Sequence, residues 1–158
     1  MSQDVASKTC AMIARVAGIK LCWRWWLKQS RGKVNIVMMD KKVVAIVEDD
    51  PSMLKGLQRL LTAHGFVTEA YTSAEKFLER GAGSKASCLI LDINLGGISG
   101  LELRRRLTAA GSRLPVIFMT SGDSETVQTA AIAAGCVAYL HKPFPAGHLM
   151  NAIAQAAS

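Results

Sequence analysis

The chain has 158 residues and a formal net charge of +7; half of its residues are hydrophobic and 20% are charged. This length and composition suit one folded domain with a real core plus an appendage, and exclude a disordered chain. No apolar run approaches the roughly 18 residues needed to span a bilayer. Arg15 and Lys20 interrupt the early apolar residues, which argues against a secretory signal. A cytoplasmic protein is expected. Cys10, Cys22, Cys88 and Cys136 form no CxxC pair and have no histidine at metal-ligand spacing, so free thiols in a reducing compartment are expected, with Cys88 and Cys136 buried in strands.

The charge is unevenly spread. Residues 1–40 hold seven basic residues against Asp4 and Asp40, and all three tryptophans, Trp23, Trp25 and Trp26. Met12, Val16, Ile19, Trp23 and Trp26 recur at helical spacing, with Lys20, Arg24 and Lys28 four apart on a neighbouring face. That pattern would suit a cationic amphipathic helix for a membrane surface or nucleic acid. The preferred reading is plainer. Met38 or Met39 would make a natural start just before the first core strand, and residues 1–40 then form an over-long, disordered or loosely helical extension. The basic pI belongs mostly to this segment, so no nucleic-acid partner is expected for the main domain, residues 41–158.

From Lys41 the pattern is regular. Val43 to Val47 is a continuous apolar run, as expected of a strand buried on both faces. Asp50 caps a helix that starts at Pro51, carries Met53, Leu57, Leu60 and Leu61 on one side, and stops at Gly65. Phe66 to Tyr71 reads as a second strand. Thr72 and Glu75 have capping-box spacing before a short helix through Arg80. The third strand, Leu89-Ile90-Leu91, runs into Asp92 and a glycine-rich turn from Gly96 to Gly100. Ser99 and Glu102 suggest a capping box for a helix over 101–110, whose Arg104-Arg105-Arg106 run reads as a solvated face. Pro115 to Thr120 is a fourth strand, 124–134 a helix, 136–140 a fifth strand, and 147–157 a last helix. Met53, Met119 and Met150 read as packing residues, and His64, His141 and His148 carry no catalytic assignment.

Five strand–helix alternations with short connections imply a parallel sheet covered on both faces. Right-handed crossovers make this an α/β, flavodoxin-like (βα)5 three-layer sandwich of strand order 2-1-3-4-5. In such a sheet the strand C-termini share one edge, and polar residues collect there: Glu48 and Asp49, Asp92, Thr120 and Lys142. Clustered carboxylates repel one another and attract a hard divalent cation such as Mg2+. A carboxylate can act as nucleophile toward phosphorus, forming an acyl phosphate. Lys142 would supply positive charge to the phosphoryl oxygens and Thr120 a hydroxyl donor.

Val47-Glu48-Asp49-Asp50-Pro51, Leu89 to Gly100, Val116 to Ser121 and Tyr139-Leu140-His141-Lys142-Pro143-Phe144 together resemble the receiver domain of two-component response regulators. The resemblance covers about residues 41–158. It implies phosphorylation of Asp92 by a histidine kinase or phosphotransfer protein. It implies Mg2+ held by Asp49, Asp92 and the backbone carbonyl of Asn94, with Glu48 in the outer shell. It implies a Thr120/Tyr139 switch pair and a cis bond before Pro143. No effector domain is expected after Ser158, so a downstream protein of unknown identity is expected to read the switch. Three positions depart from the family pattern. Gly96 replaces a common proline, so the loop behind Asp92 is expected to be more mobile. Ser121 replaces a common alanine, and Gly122 has no side chain to shield an attacking water. Two competing readings are an unphosphorylated docking pseudo-receiver and an aspartyl-nucleophile phosphohydrolase. The intact Asp92, Thr120 and Lys142 argue against the first. Asn94, standing where such hydrolases need a second acid, argues against the second.

Overall fold

The computed structural model describes residues 42–80, 83–122 and 124–157. All of them fall within the compact unit Asp40–Ser158. The expectations for residues 1–40 lie outside the described residues. Among the described residues five strands and five helices alternate: β1 (Val43–Val47), α1 (Pro51–Ala63), β2 (Val67–Tyr71), α2 (Ala74–Arg80), β3 (Cys88–Asp92), α3 (Gly100–Ala109), β4 (Val116–Thr120), α4 (Glu125–Ala133), β5 (Ala138–His141) and α5 (Ala146–Ala156). The strands form one sheet of order β2-β1-β3-β4-β5, and every pairing is parallel. This is the architecture the alternation pattern predicts. No helix among the described residues is long and apolar enough to cross a membrane.

The central strands are apolar up to their C-terminal ends because they feed two cores. Side chains alternate across a strand, so Val44, Ile46, Ile90, Ile117 and Met119 face a layer completed by Leu54, Leu57 and Leu61 of α1 and Leu149, Ala152 and Ile153 of α5. Ala45, Val47, Leu89, Leu91, Val116 and Phe118 face the opposite layer, with Ala74 and Phe77 of α2, Leu103 of α3 and Ala131 of α4. Met53 and Met150 pack against the first of these cores, as expected. Tyr71 meets Phe77 edge-on, with ring centroids 5.1 Å apart. Asp50 caps α1 by accepting the Ser52 and Met53 N–H groups at 2.7 and 3.2 Å. Gly65, Gly111 and Gly135 follow α1, α3 and α4 at positive φ, where a side chain would be strained.

Several local expectations shift. The capping box at Thr72 and Glu75 does not form. Ser73, one residue on, caps α2 by accepting the Lys76 N–H at 3.3 Å, and the Glu75 carboxylate turns to another loop. The fifth strand starts at Ala138 rather than Cys136, because pairing with β4 registers Ala138 against Ile117. Cys136 is therefore only half-buried, whereas Cys88 is buried and its thiol is pushed up to about 11 by that burial. The three arginines of α3 also differ from one another. Arg105 and Arg106 pair with Glu102 on the exposed face at 2.7 and 2.8 Å. Arg104 instead turns under the helix, where its guanidinium donates to the carbonyls of Leu114 at 3.0 Å, Ala134 at 3.1 Å and Gly135 at 3.4 Å. It satisfies oxygens at the end of α4 that no helical N–H can reach.

Arg104→Ala orphans these carbonyls and should lower unfolding stability by about 1–3 kcal/mol. Arg104→Lys, lacking the planar fork, should fall between wild type and alanine. Urea unfolding midpoints measure both.

Candidate functional site

Parallel pairing brings every strand C-terminus to one edge. In register, Val47 lies beside Leu91, Asp92 beside Met119, and Thr120 beside His141. Glu48 follows β1 directly, Asp92 ends β3, Thr120 ends β4 and Lys142 follows β5. The Lys142 N–H donates to the Thr120 carbonyl at 2.7 Å, extending the ladder one residue past β5. The Lys142–Pro143 bond is cis, as expected.

The side chains then converge. The Lys142 ammonium lies between two carboxylates, 2.6 Å from Glu48 Oε2 and 2.9 Å from Asp92 Oδ2. Glu48 and Asp92 are 1% and 5% exposed, so both charges sit largely out of water. The second Asp92 oxygen, Oδ1, accepts the Asn94 N–H at 3.1 Å. Asp49 is exposed, and its Oδ2 accepts the Gly96 N–H at 3.1 Å. The buried Thr120 hydroxyl oxygen accepts the Gly122 N–H at 3.1 Å and lies 3.4 Å from Asn94 Nδ2, which donates to it. Tyr139 stands on β5 beside Phe118, half-buried at the margin of the core that contains Phe118. Of the residues singled out from the sequence, Glu48, Asp49, Asp92, Asn94, Thr120 and Lys142 form one connected site. Tyr139 lies beside that site on β5 and makes no polar contact with the other six.

Three carboxylates face one ammonium, so the site is negative. Burial raises the Glu48 pKa and the neighbouring Asp92 charge adds to that, while Lys142 opposes both. For Lys142, burial disfavours the ammonium, but Asp92 and Glu48 more than offset it and hold the pKa above its usual value. Oxygens from Glu48, Asp49 and Asp92 all lie within 4.8 Å of one another. A set of hard oxygen donors with excess negative charge fits a hard divalent cation such as Mg2+.

Two features of the site were missed in the sequence. The first is the Asn94 side chain. The resemblance implies only a backbone role for this residue, yet its amide links the β3 loop to the β4 hydroxyl. The second is Gly100. A Cβ there would meet the Asp92 carbonyl oxygen at 2.2 Å, because the loop doubles back and the Gly100 N–H donates to the Ile93 carbonyl at 3.0 Å. Glycine immediately after the cap residue Ser99, inside the first helical turn, was the available signal. In the turn behind Asp92, backbone N–H groups of Gly96 and Ile98 are both held by carboxylates.

Gly100→Ala should cost about 1–3 kcal/mol in thermal or urea unfolding, because backbone must move to admit the methyl group. Lys142→Met should cost about 1–3 kcal/mol at neutral pH, as it leaves two buried carboxylates without their cation. Without the ammonium, a carboxyl here has a folded-state pKa above its unfolded value. The folded protein then takes up a proton that the unfolded chain does not, so the deficit should shrink as pH is lowered toward about 5. Urea midpoints compared at the two pH values check the sign.

The family model described as the response regulator receiver domain matches residues 44–154. The response regulator protein TodT of Pseudomonas putida is 35% identical over 111 residues, covering 70% of this chain and 49% of that protein. The transcriptional regulatory protein FixJ of Azorhizobium caulinodans is 32% identical over 116 residues, covering 73% of this chain and 55% of that protein. The chain thus spans about half the length of the curated relatives it matches. The crystal structure of FixJ-N superposes with a TM-score of 0.70 at 31% identity, covering 73% of this chain and 93% of that one. A response regulator receiver protein from Burkholderia phymatum gives 0.66 at 37% identity, covering 74% and 95%.

Proposed function

This chain belongs to the response regulator receiver domain family, and from that premise we propose that Asp92 accepts a phosphoryl group from a histidine kinase or phosphotransfer protein in a two-component pathway. The observation that carries the proposal is the placement of the Asp92 carboxylate, anchored by Lys142 and Asn94 at the sheet edge beside Glu48 and Asp49. A carboxylate oxygen of Asp92 attacks phosphorus. A new P–O bond forms as the bond from phosphorus to the donor's histidine nitrogen breaks, leaving an acyl phosphate on Asp92.

The chain's own residues prepare this step. Asn94 N–H fixes one Asp92 oxygen, and Lys142, held charged by its two carboxylates, supplies a cation for the phosphoryl oxygens. Mg2+, with Asp49, Asp92 and the Asn94 carbonyl as ligands and Glu48 in the outer shell, would offset the charge repulsion between carboxylates and incoming phosphate. Thr120 is the hydroxyl that answers the phosphate. In this structure its oxygen accepts from Gly122 and Asn94, and the O–H is the donor that a phosphoryl oxygen would accept from. Tyr139 moves inward with it, and the altered β4–β5 surface is what a downstream protein reads. Such a switch works only through contacts that differ between its two states. The role is that of a signalling phosphoacceptor, residues 41–158 forming the receiver unit. The free thiols Cys88 and Cys136 suit a reducing, cytoplasmic setting.

Incubation with Mg2+ and a small acyl phosphate, followed by intact-mass measurement, tests the proposal. The expected result is one added phosphoryl group, lost in Asp92→Asn and lost on chelation. Folded wild-type protein that stays unmodified at saturating donor would overturn it.

A further inference from the structure

The Glu75 carboxylate, predicted to fold back on its own helix, does something else. From the first turn of α2 it also reaches the loop behind Asp92, where its Oε1 accepts the Ile98 N–H at 2.8 Å. That hydrogen bond is the main reason its carboxyl sits below the usual range, with its own backbone N–H and the Ser73 hydroxyl adding to the effect. Two residues before Ile98, the Gly96 N–H holds Asp49 Oδ2 at 3.1 Å. One short glycine segment is therefore gripped by two carboxylates from two other elements, and one of these, Asp49, belongs to the acidic cluster around Asp92.

Gly97 fits the same arrangement. It has no positive φ, so its backbone alone would accept a side chain. A Cβ there would instead lie 2.6 Å from Glu75 Oε1, the oxygen that receives the Ile98 N–H. The glycine leaves room for the carboxylate. A segment with Gly96 and Gly97 in sequence has high conformational entropy when free, and the Glu75 contact restricts it where it meets Asp49.

We infer that Glu75 is a positioning residue for cation binding: by anchoring Ile98 it fixes the Gly96 N–H, which in turn orients the Asp49 carboxylate toward Asp92. The inference rests on the proposed cation site at Glu48, Asp49 and Asp92. Partners that orient metal ligands typically contribute about 10–100-fold in affinity. Glu75 acts one step further out, through the loop, so the expected loss is smaller, about 3- to 10-fold.

The experiment is calorimetric titration of the full chain with MgCl2, paired with amide hydrogen exchange in the absence of cation. Glu75→Ala should speed exchange at Gly96 and Ile98 and weaken Mg2+ binding about 3- to 10-fold. Glu75→Gln, which keeps a carbonyl oxygen for the Ile98 N–H, should restore most of both. Gly97→Ala, crowding the same oxygen, should reproduce Glu75→Ala, and the double variant should be little worse than either because both remove one contact. In phosphorylation by a small acyl phosphate, Glu75→Ala should raise the Mg2+ concentration for half-maximal rate and leave the rate at saturating Mg2+ near wild type. A uniform loss of fold stability would move neither the glutamine rescue nor this split in that way. Wild-type exchange and wild-type Mg2+ affinity in Glu75→Ala would overturn the inference while the phosphoacceptor proposal stands. Failure of the wild-type chain to bind Mg2+ would overturn the cation site and the inference with it.

Discussion

The ammonium of Lys142, held between Glu48 and Asp92, is the contact on which the site depends. Two carboxylates this deeply buried would otherwise repel one another and take up protons. The lysine places a positive charge against both at the sheet edge, and its own charge is secured by the same pairing. The balance remains short of neutral because Asp49 adds a third acid. The site therefore carries an excess of negative charge. A buried ion pair is weak evidence for net stability.

The sheet supplies the distance scale for this arrangement. Parallel strands lie about 4.8 Å apart, so residues at the ends of β1 and β3, and of β3 and β4, meet without any further device. Lys142 comes from β5, two strands from Asp92, and its long side chain covers the remaining gap. The Thr120 carbonyl anchors its backbone, which couples the lysine's position to the same β4 residue that carries the buried hydroxyl. Asn94 closes a second link, from the Asp92 loop to that hydroxyl. Asp92 and Thr120 are therefore linked twice, once through Lys142 and once through Asn94.

The loop behind Asp92 shows how backbone hydrogen bonding offsets flexible composition. Gly96 and Gly97 carry no side chains to pack, yet N–H groups of this segment meet carboxylates from the β1 end and from α2. Gly100 then brings the chain back against Asp92 at a distance no larger residue allows. Among the described residues, no buried side-chain nitrogen or oxygen lacks a hydrogen-bond partner. That condition matters most at a site with this density of polar groups.

Element order, the parallel sheet and the identity of the strand-end residues are all legible in the chain. Each of these rests on a pattern that is local in the chain: unbroken apolar runs for doubly buried strands, a cap residue such as Asp50 or Ser99 before a helix, a glycine after one. The set Glu48, Asp49, Asp92, Thr120 and Lys142 was legible for the same reason, since a parallel sheet sends every strand end to one edge whatever the intervening helices contain. Which polar groups meet depends on packing between elements distant in the chain. Lys142 and Glu48 lie 94 positions apart, Arg104 and Ala134 30, and Glu75 and Ile98 23. The local spacing of Glu75 with Thr72 suggested a capping box, and the arginine run suggested a solvated face. In both cases a backbone group brought near by packing, the Ile98 N–H or the carbonyls at the end of α4, competed successfully with the local partner or with water. Such competition is settled by three-dimensional proximity and desolvation, which no one-dimensional spacing encodes.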